Sequence, residues 1–186
     1  MREFQSSSLG LAGSLLIAHP NLLDPNFRRT VLYVAVHDST DGAFGLILNR
    51  RTNKTVNEIV EEGAPGVLGS TPVFFGGPVG RDRLTFASFC WRPETQEVEC
   101  EVNLGLDEAR EAALEPGVVL RAYVGYAGWT GGQLEAELEQ KAWGVQKPDR
   151  ELLDGEACGQ LWFTIMQTYG PWFRLLASAP DDPSLN

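Results

Sequence analysis

Apolar and polar positions alternate along this chain in short bursts, and most bursts have the period of strands. SLLIA (14–18), apolar after Ser14, is closed by His19-Pro20, as expected of a buried strand entering a loop. VLYVAV (31–36) and FGLILN (44–49) flank HDSTDGA, whose Asp41-Gly42 pair favours a tight turn, so the two runs are expected to form an antiparallel hairpin. VFF (73–75) predicts a brief strand before a Gly-Gly-Pro turn, and LTFASF (84–89) and VVLRAYV (118–124) predict further strands. EVECEVN (97–103) puts Val98, Cys100 and Val102 on one face and Glu97, Glu99 and Glu101 on the other, which makes Cys100 a small core hydrophobe.

Helical patterns lie between these runs. In TVNEIVEEG (55–63), Thr55 precedes Glu58 by three, the spacing of a capping box, and Gly63 suits a left-handed C-cap. DEAREAALEPG (107–117) is rich in helix formers and stops at Pro116-Gly117. The stretch GYAGWTGGQLEAELEQKAW (125–143) reads as a glycine turn leading into a helix. Thr130 and Gln133 form a second capping box, Leu134, Leu138 and Ala142 a buried stripe, and Glu137 and Lys141 an i,i+4 pair. Leu161, Trp162, Ile165, Met166 and Tyr169 recur at helical spacing, and WFRLLASA follows as an apolar run.

Composition narrows the class. A length of 186 residues with 43% apolar content fits one domain, over 1–178, with a frayed tail at 179–186. Fifteen basic against twenty-five acidic residues give a net charge of -10, which opposes nonspecific attraction to nucleic acid or anionic membranes. Cys90, Cys100 and Cys158 are odd in number and widely spaced, which suits reduced thiols in a cytoplasm rather than disulfides or zinc. No apolar run approaches the roughly 20 residues of a membrane span. The apolar start at 9–18 follows only Arg2, offset by Glu3, and reads as a mature strand.

Candidate chemistry centres on charge placement. With the hairpin turn near Thr40, Arg28 and Arg29 face Arg50 and Arg51, with Lys54 close behind, so guanidinium groups gather at one end of an acidic molecule. Two readings follow: carboxylates such as Asp24 and Glu58 satisfy the cluster as ion pairs, or it forms an anion site. His37, beside Asp38 and Asp41, and His19, near Asn21 and Asp24, are the natural acid–base groups. Neither stands at a nucleophile motif: GxSxG, HExxH, the EF-hand loop and both phosphate-loop patterns are absent, so no metal or cofactor is expected. The glycines of FFGGPVG, Gly76 and Gly77, and those around Trp129 serve either close backbone approach or a groove, in the second case with a neutral ligand flat on Trp129.

Three segments, GSLLIAHPNLLDPNFRRTVLYVAVHDSTDGAFGLILNR, VFFGGPV and VGYAGWTGGQLEAELEQKAW, together resemble the AlgH/YqgE family of small bacterial proteins. Family-typical positions present here include Arg29, His37, Asn49, Gly76, Gly77 and Trp129. The resemblance implies an α+β fold, a mixed, mainly antiparallel sheet bent into a partial barrel with helices packed outside. The family carries a transcriptional-regulator label and no catalytic residue list. Asp38, Arg51 and the C-terminal end depart from its pattern, Arg51 by enlarging the basic cluster. The expectation is a noncatalytic cytoplasmic binding or regulatory module. Arg28, Arg29, Arg50 and Arg51 would meet a small anionic ligand or protein partner, and His37, Asn49, Gly76, Gly77 and Trp129 would line a groove. The alternative is an enzyme acting on a small anionic substrate through His37 or His19; direct nucleic-acid contact ranks third, against the net charge and without a basic recognition helix.

Overall fold

The computed structural model describes residues 10–60, 66–153 and 158–178. The predicted hairpin is its centre: β2 (Val31–Asp38) pairs antiparallel with β3 (Gly42–Ile47), Leu32 opposite Ile47 and Asp38 opposite Gly42, with a one-residue shift between Val34 and Val36. The Asp38 carboxylate accepts from the amides of Thr40 (2.7 Å) and Asp41 (3.0 Å), which pins the turn and holds Asp38 below its ordinary pKa. β1 (Leu15–Ala18) runs antiparallel between β2 and β9 (Trp143–Gln146).

The other side contains β4 (Arg51–Thr55), β5 (Pro72–Phe75), β6 (Val79–Arg92), β7 (Glu97–Leu104) and β8 (Val118–Trp129). The strand order is β4-β5-β8-β3-β2-β1-β9, with β6 paired to both β7 and β8. β5 and β8 are parallel, and the remaining pairs are antiparallel. This mixed sheet curls into a half-barrel carrying helices α1 (Leu106–Leu114), α2 (Gln133–Glu139), α3 (Leu161–Thr168) and α4 (Pro171–Ala177), an α+β fold.

Alternation decides which faces are covered. Val98, Cys100 and Val102 join the main core while Glu97, Glu99 and Glu101 face outward, as their spacing predicts. The core is built from β1, β2 and β3 with Phe74, Phe89, Tyr123 and Trp143, and α3 closes it with Trp162, whose indole donates to the Ala18 carbonyl at 2.8 Å. A second cluster, Val56, Leu68, Val73, Phe86, Ala109 and Ala122, lies under α1.

Several elements differ from their sequence patterns. The helix expected at 55–63 is a short 3-10 turn, Val56–Glu58; its capping contact survives, the Glu58 carboxylate accepting from the Thr55 amide at 2.7 Å, and the expected Gly63 cap lies outside the described residues, as does the tail 179–186. β8 does not turn at Gly125 but continues to Trp129, because Gly125 (φ +73°) absorbs an irregularity where a side chain would overlap the Gly77 carbonyl. α2 therefore begins only at Gln133 and ends early enough for 143–146 to pair with β1. Lys141 sits in the left-handed region (φ +59°) just beyond α2, and no ion pair joins it to Glu137.

Candidate functional site

The loop between β1 and β2 folds on itself through Asp24. Its carboxylate accepts from the Asn26 amide (2.7 Å) and its carbonyl from the amides of Phe27 (3.0 Å) and Arg28 (2.7 Å). Asn49 then joins this loop to the end of β3: its Oδ1 accepts from the Val31 amide and its Nδ2 donates to the Arg29 carbonyl, both at 2.9 Å. Asn49 is thus committed to backbone at both ends of its amide and continues the hairpin pairing two residues past β3.

These contacts bring the hairpin arginines to one region and then aim them differently. Arg29, in the left-handed region (φ +57°), lays its guanidinium over Trp162 (5.6 Å) and Phe163 (5.2 Å), toward α3. Arg50 donates to the carbonyls of Pro25 (3.0 Å) and Arg28 (3.1 Å) and lies 5.9 Å from the Phe75 ring centre. Burial, and next the nearby charge of Arg28, lower the Arg50 pKa, while Asp24 opposes the shift. Arg51 lies exposed on β4, opposite Phe74 in register.

A further arginine completes this corner. Between Val79 and Leu84 four residues of β6 bulge against the single residue Gly125 of β8, and the bulge carries Arg81 to the hairpin. Arg81 lies 4.9 Å from the Phe75 ring centre and donates to Asn26 Oδ1 at 2.9 Å. Among the described residues neither Arg50 nor Arg81 is in ion-pair contact with a carboxylate. Sequence reasoning missed Arg81; the available signal was Gly80 before RDR, a glycine inside what proves to be a long strand.

A family model described as AlgH-like matches residues 15–174. The chain belongs to the AlgH-like family. A UPF0301 protein of Streptomyces coelicolor is 37% identical over 95% of both chains, and one of Thermobifida fusca is 32% identical over 99% of this chain and 100% of its own. The solution structure of the AlgH protein from Pseudomonas aeruginosa superposes with a TM-score of 0.64 at 30% identity, covering 97% of this chain and 99% of that one. A crystal structure from Corynebacterium diphtheriae gives 0.71 at 22% identity, covering 94% and 95%, and shares the fold.

Within this AlgH-like fold the glycine positions serve the sheet. A Cβ at Gly76 would overlap the Gly125 carbonyl, and one at Gly77 the backbone of Tyr126. Trp129 is only 6% exposed; Phe27 stacks at 6.3 Å and Trp143 meets it edge-on, also at 6.3 Å, so the chain's own rings pack about it. Of the expected Thr130–Gln133 capping box only one half forms: the Thr130 amide donates to Gln133 Oε1 at 3.1 Å, while the N-cap of α2 is Gly132, with no side-chain cap.

The two histidines are separate. His37, on β2 with a side chain only 5% exposed, holds Nε2 2.8 Å from Glu135 Oε1 on α2. No hydrogen bond joins it to a serine, threonine or cysteine side chain among the described residues. His19 accepts from the Asn21 amide at Nδ1 (3.2 Å) and meets Phe173 edge-on; burial first and the Lys141 charge second lower its pKa.

Clefts open elsewhere on the surface. One, ≈ 440 Å³, lies between the outer face of β6–β7 and α1 and is rich in acids, with Glu99, Glu101, Glu108, Glu111 and Glu115 in its walls. Among the described residues no three His, Cys, Asp or Glu side chains stand close enough to hold a metal, and no helix is long and apolar enough to cross a membrane.

Proposed function

We propose that this AlgH-like chain is a noncatalytic cytoplasmic binding module, and that the corner of Arg28, Arg50 and Arg81 meets an acidic protein partner or a small anion. The observation that carries the reading is the approach of Arg50 and Arg81 to one ring, Phe75, with only neutral oxygens as their hydrogen-bond acceptors among the described residues. A carboxylate entering there exchanges neutral hydrogen bonds for charge-assisted ones, and the partly buried position of Arg50 reduces competition from water. Because the molecule as a whole is negative, attraction is local and weakens with salt.

Titration with citrate and with poly-glutamate, followed by amide NMR, tests this. Saturable shifts confined to the surroundings of Asn26, Arg50 and Phe75, reduced by salt and lost in Arg81→Gln, are expected. Shifts that never saturate, or that persist in Arg81→Gln, would remove the site. The second reading, an enzyme on a small anionic substrate, draws on the 2.8 Å contact of His37 with Glu135, in which a carboxylate orients an imidazole. It requires access to a side chain that is 5% exposed, and turnover abolished by His37→Asn would establish it.

A further inference from the structure

A different cleft, independent of the arginine corner, has the makings of a ligand site. It encloses ≈ 270 Å³ and is lined by Phe44, Gly80, Arg83, Thr85, Asn103, Gly125 and Tyr126. The β6 bulge creates it: where Arg81 leaves toward Phe75, Arg83 goes to this cleft instead. One wall is aromatic, with the Phe44 and Tyr126 ring centres 5.0 Å apart. Gly80 and Gly128 border opposite edges of the Tyr126 ring, where an added Cβ would stand 3.2 Å from Cε1 and Cε2 respectively, so the two glycines leave room for the ring.

The polar side chains of the lining are uncommitted. Arg83, Thr85, Asn103 and Tyr126 supply a guanidinium, a hydroxyl, an amide and a phenol, and among the described residues none of these four side chains hydrogen-bonds another protein group. Among the described residues of the lining Arg83 is the one that carries a charge. Convergent polar side chains beside an aromatic wall are what small-molecule sites share, and the volume lies just below the roughly 300 Å³ at which drug-sized pockets begin.

We propose that this cleft binds a small aromatic monocarboxylate, its ring against Phe44 and Tyr126 and its carboxylate on Arg83, with Thr85 and Asn103 donating to the same oxygens. The aromatic wall selects a flat apolar body. One guanidinium matches one carboxylate in a two-point contact. A single charge is favoured over a phosphate dianion because every extra negative charge is repelled by a molecule of net charge -10.

The test is titration of the full chain with benzoate and phenylacetate, followed by amide NMR, with benzamide as the uncharged counterpart and acetate as the ringless one. Both aromatic acids should move Phe44, Thr85, Asn103 and Tyr126 saturably, while benzamide and acetate bind at least about tenfold more weakly, the cost of one lost charged hydrogen bond or of the ring contact. Arg83→Gln, a change at an exposed side chain whose unaltered remaining spectrum certifies the fold, should weaken benzoate by a similar factor. Arg110→Gln, on α1 and outside this lining, should leave it unchanged. Equal binding of benzamide, unaltered affinity in Arg83→Gln, or shifts that do not saturate would each overturn the assignment.

Discussion

Trp129 and Trp143 donate their indole N–H groups to the same oxygen, Glu137 Oε2, at 3.0 and 2.8 Å. The other oxygen accepts from Gln133 Nε2 at 3.0 Å. One carboxylate thereby ties the end of β8, helix α2 and the start of β9 together. Glu137→Ala leaves two buried indole donors without acceptors, at roughly 1–3 kcal/mol each, so a loss of about 3 kcal/mol is expected in urea denaturation followed by tryptophan fluorescence. A loss below about 0.5 kcal/mol, the size of an ordinary surface change, would show that the shared carboxylate contributes no stability.

Two glycines with positive φ should respond very differently to alanine. Gly117 (φ +85°) has open space where a Cβ would stand, so Gly117→Ala carries only the left-handed backbone penalty, about 1 kcal/mol. At Gly42 (φ +113°) the same atom would overlap the Trp129 carbonyl, forcing β3 away from β8 and costing about 3 kcal/mol or more. Equal melting temperatures for the two variants would contradict the close approach of these strands.

Stability should fall in mild acid through His19. Its folded-state pKa is depressed, so below the ordinary histidine value of roughly 6.5 the unfolded chain takes up the proton first. The contribution is complete above that pH and is lost as the pH drops through the folded value. His19→Gln should flatten the stability profile between about pH 7 and pH 5, compared by urea midpoints. Parallel profiles for parent and variant would exclude His19 as the source.

Cys100 should be inert in the native protein. Burial, and then the adjacent Glu101 charge, push its thiol up to about 12, and only the thiolate reacts. Alkylation by iodoacetamide near pH 8 should be slower at Cys100 than at a free thiol by on the order of a thousandfold, and recover in urea. Peptide mapping that finds Cys100 labelled natively at the free-thiol rate would contradict its packing.

Much of the local architecture was legible in the residues. The 31–49 hairpin, the faces of Val98, Cys100 and Val102, and the contacts Thr55–Glu58 and Thr130–Gln133 all follow from groups a few positions apart or from a tight turn. Such patterns survive because a strand's period or a cap's geometry is set within its own segment. Even where the helix after Thr55 shrank to a single turn, the capping contact remained.

Tertiary structure decided what those segments meet. Gly80 hints at a break in the strand, but it does not say that Arg81 will reach Asn26, 55 positions away, or share Phe75 with Arg50; the β6 bulge against Gly125 does that. Glu137, spaced for Lys141, faces two indoles because β8 and β9 bury Trp129 and Trp143 beside it, and an unmet buried donor costs more than an exposed ion pair returns. The sequence by itself thus determined the 31–49 hairpin, the strand runs within 14–18, 73–75, 84–89, 97–103 and 118–124, and the buried face of 97–103, whereas β4 and β9 came from pairing with β5 and β1. The partners of the polar and charged side chains depended on strand pairings between distant segments, because long side chains can reach several neighbours and only the packed sheet leaves one of them in range.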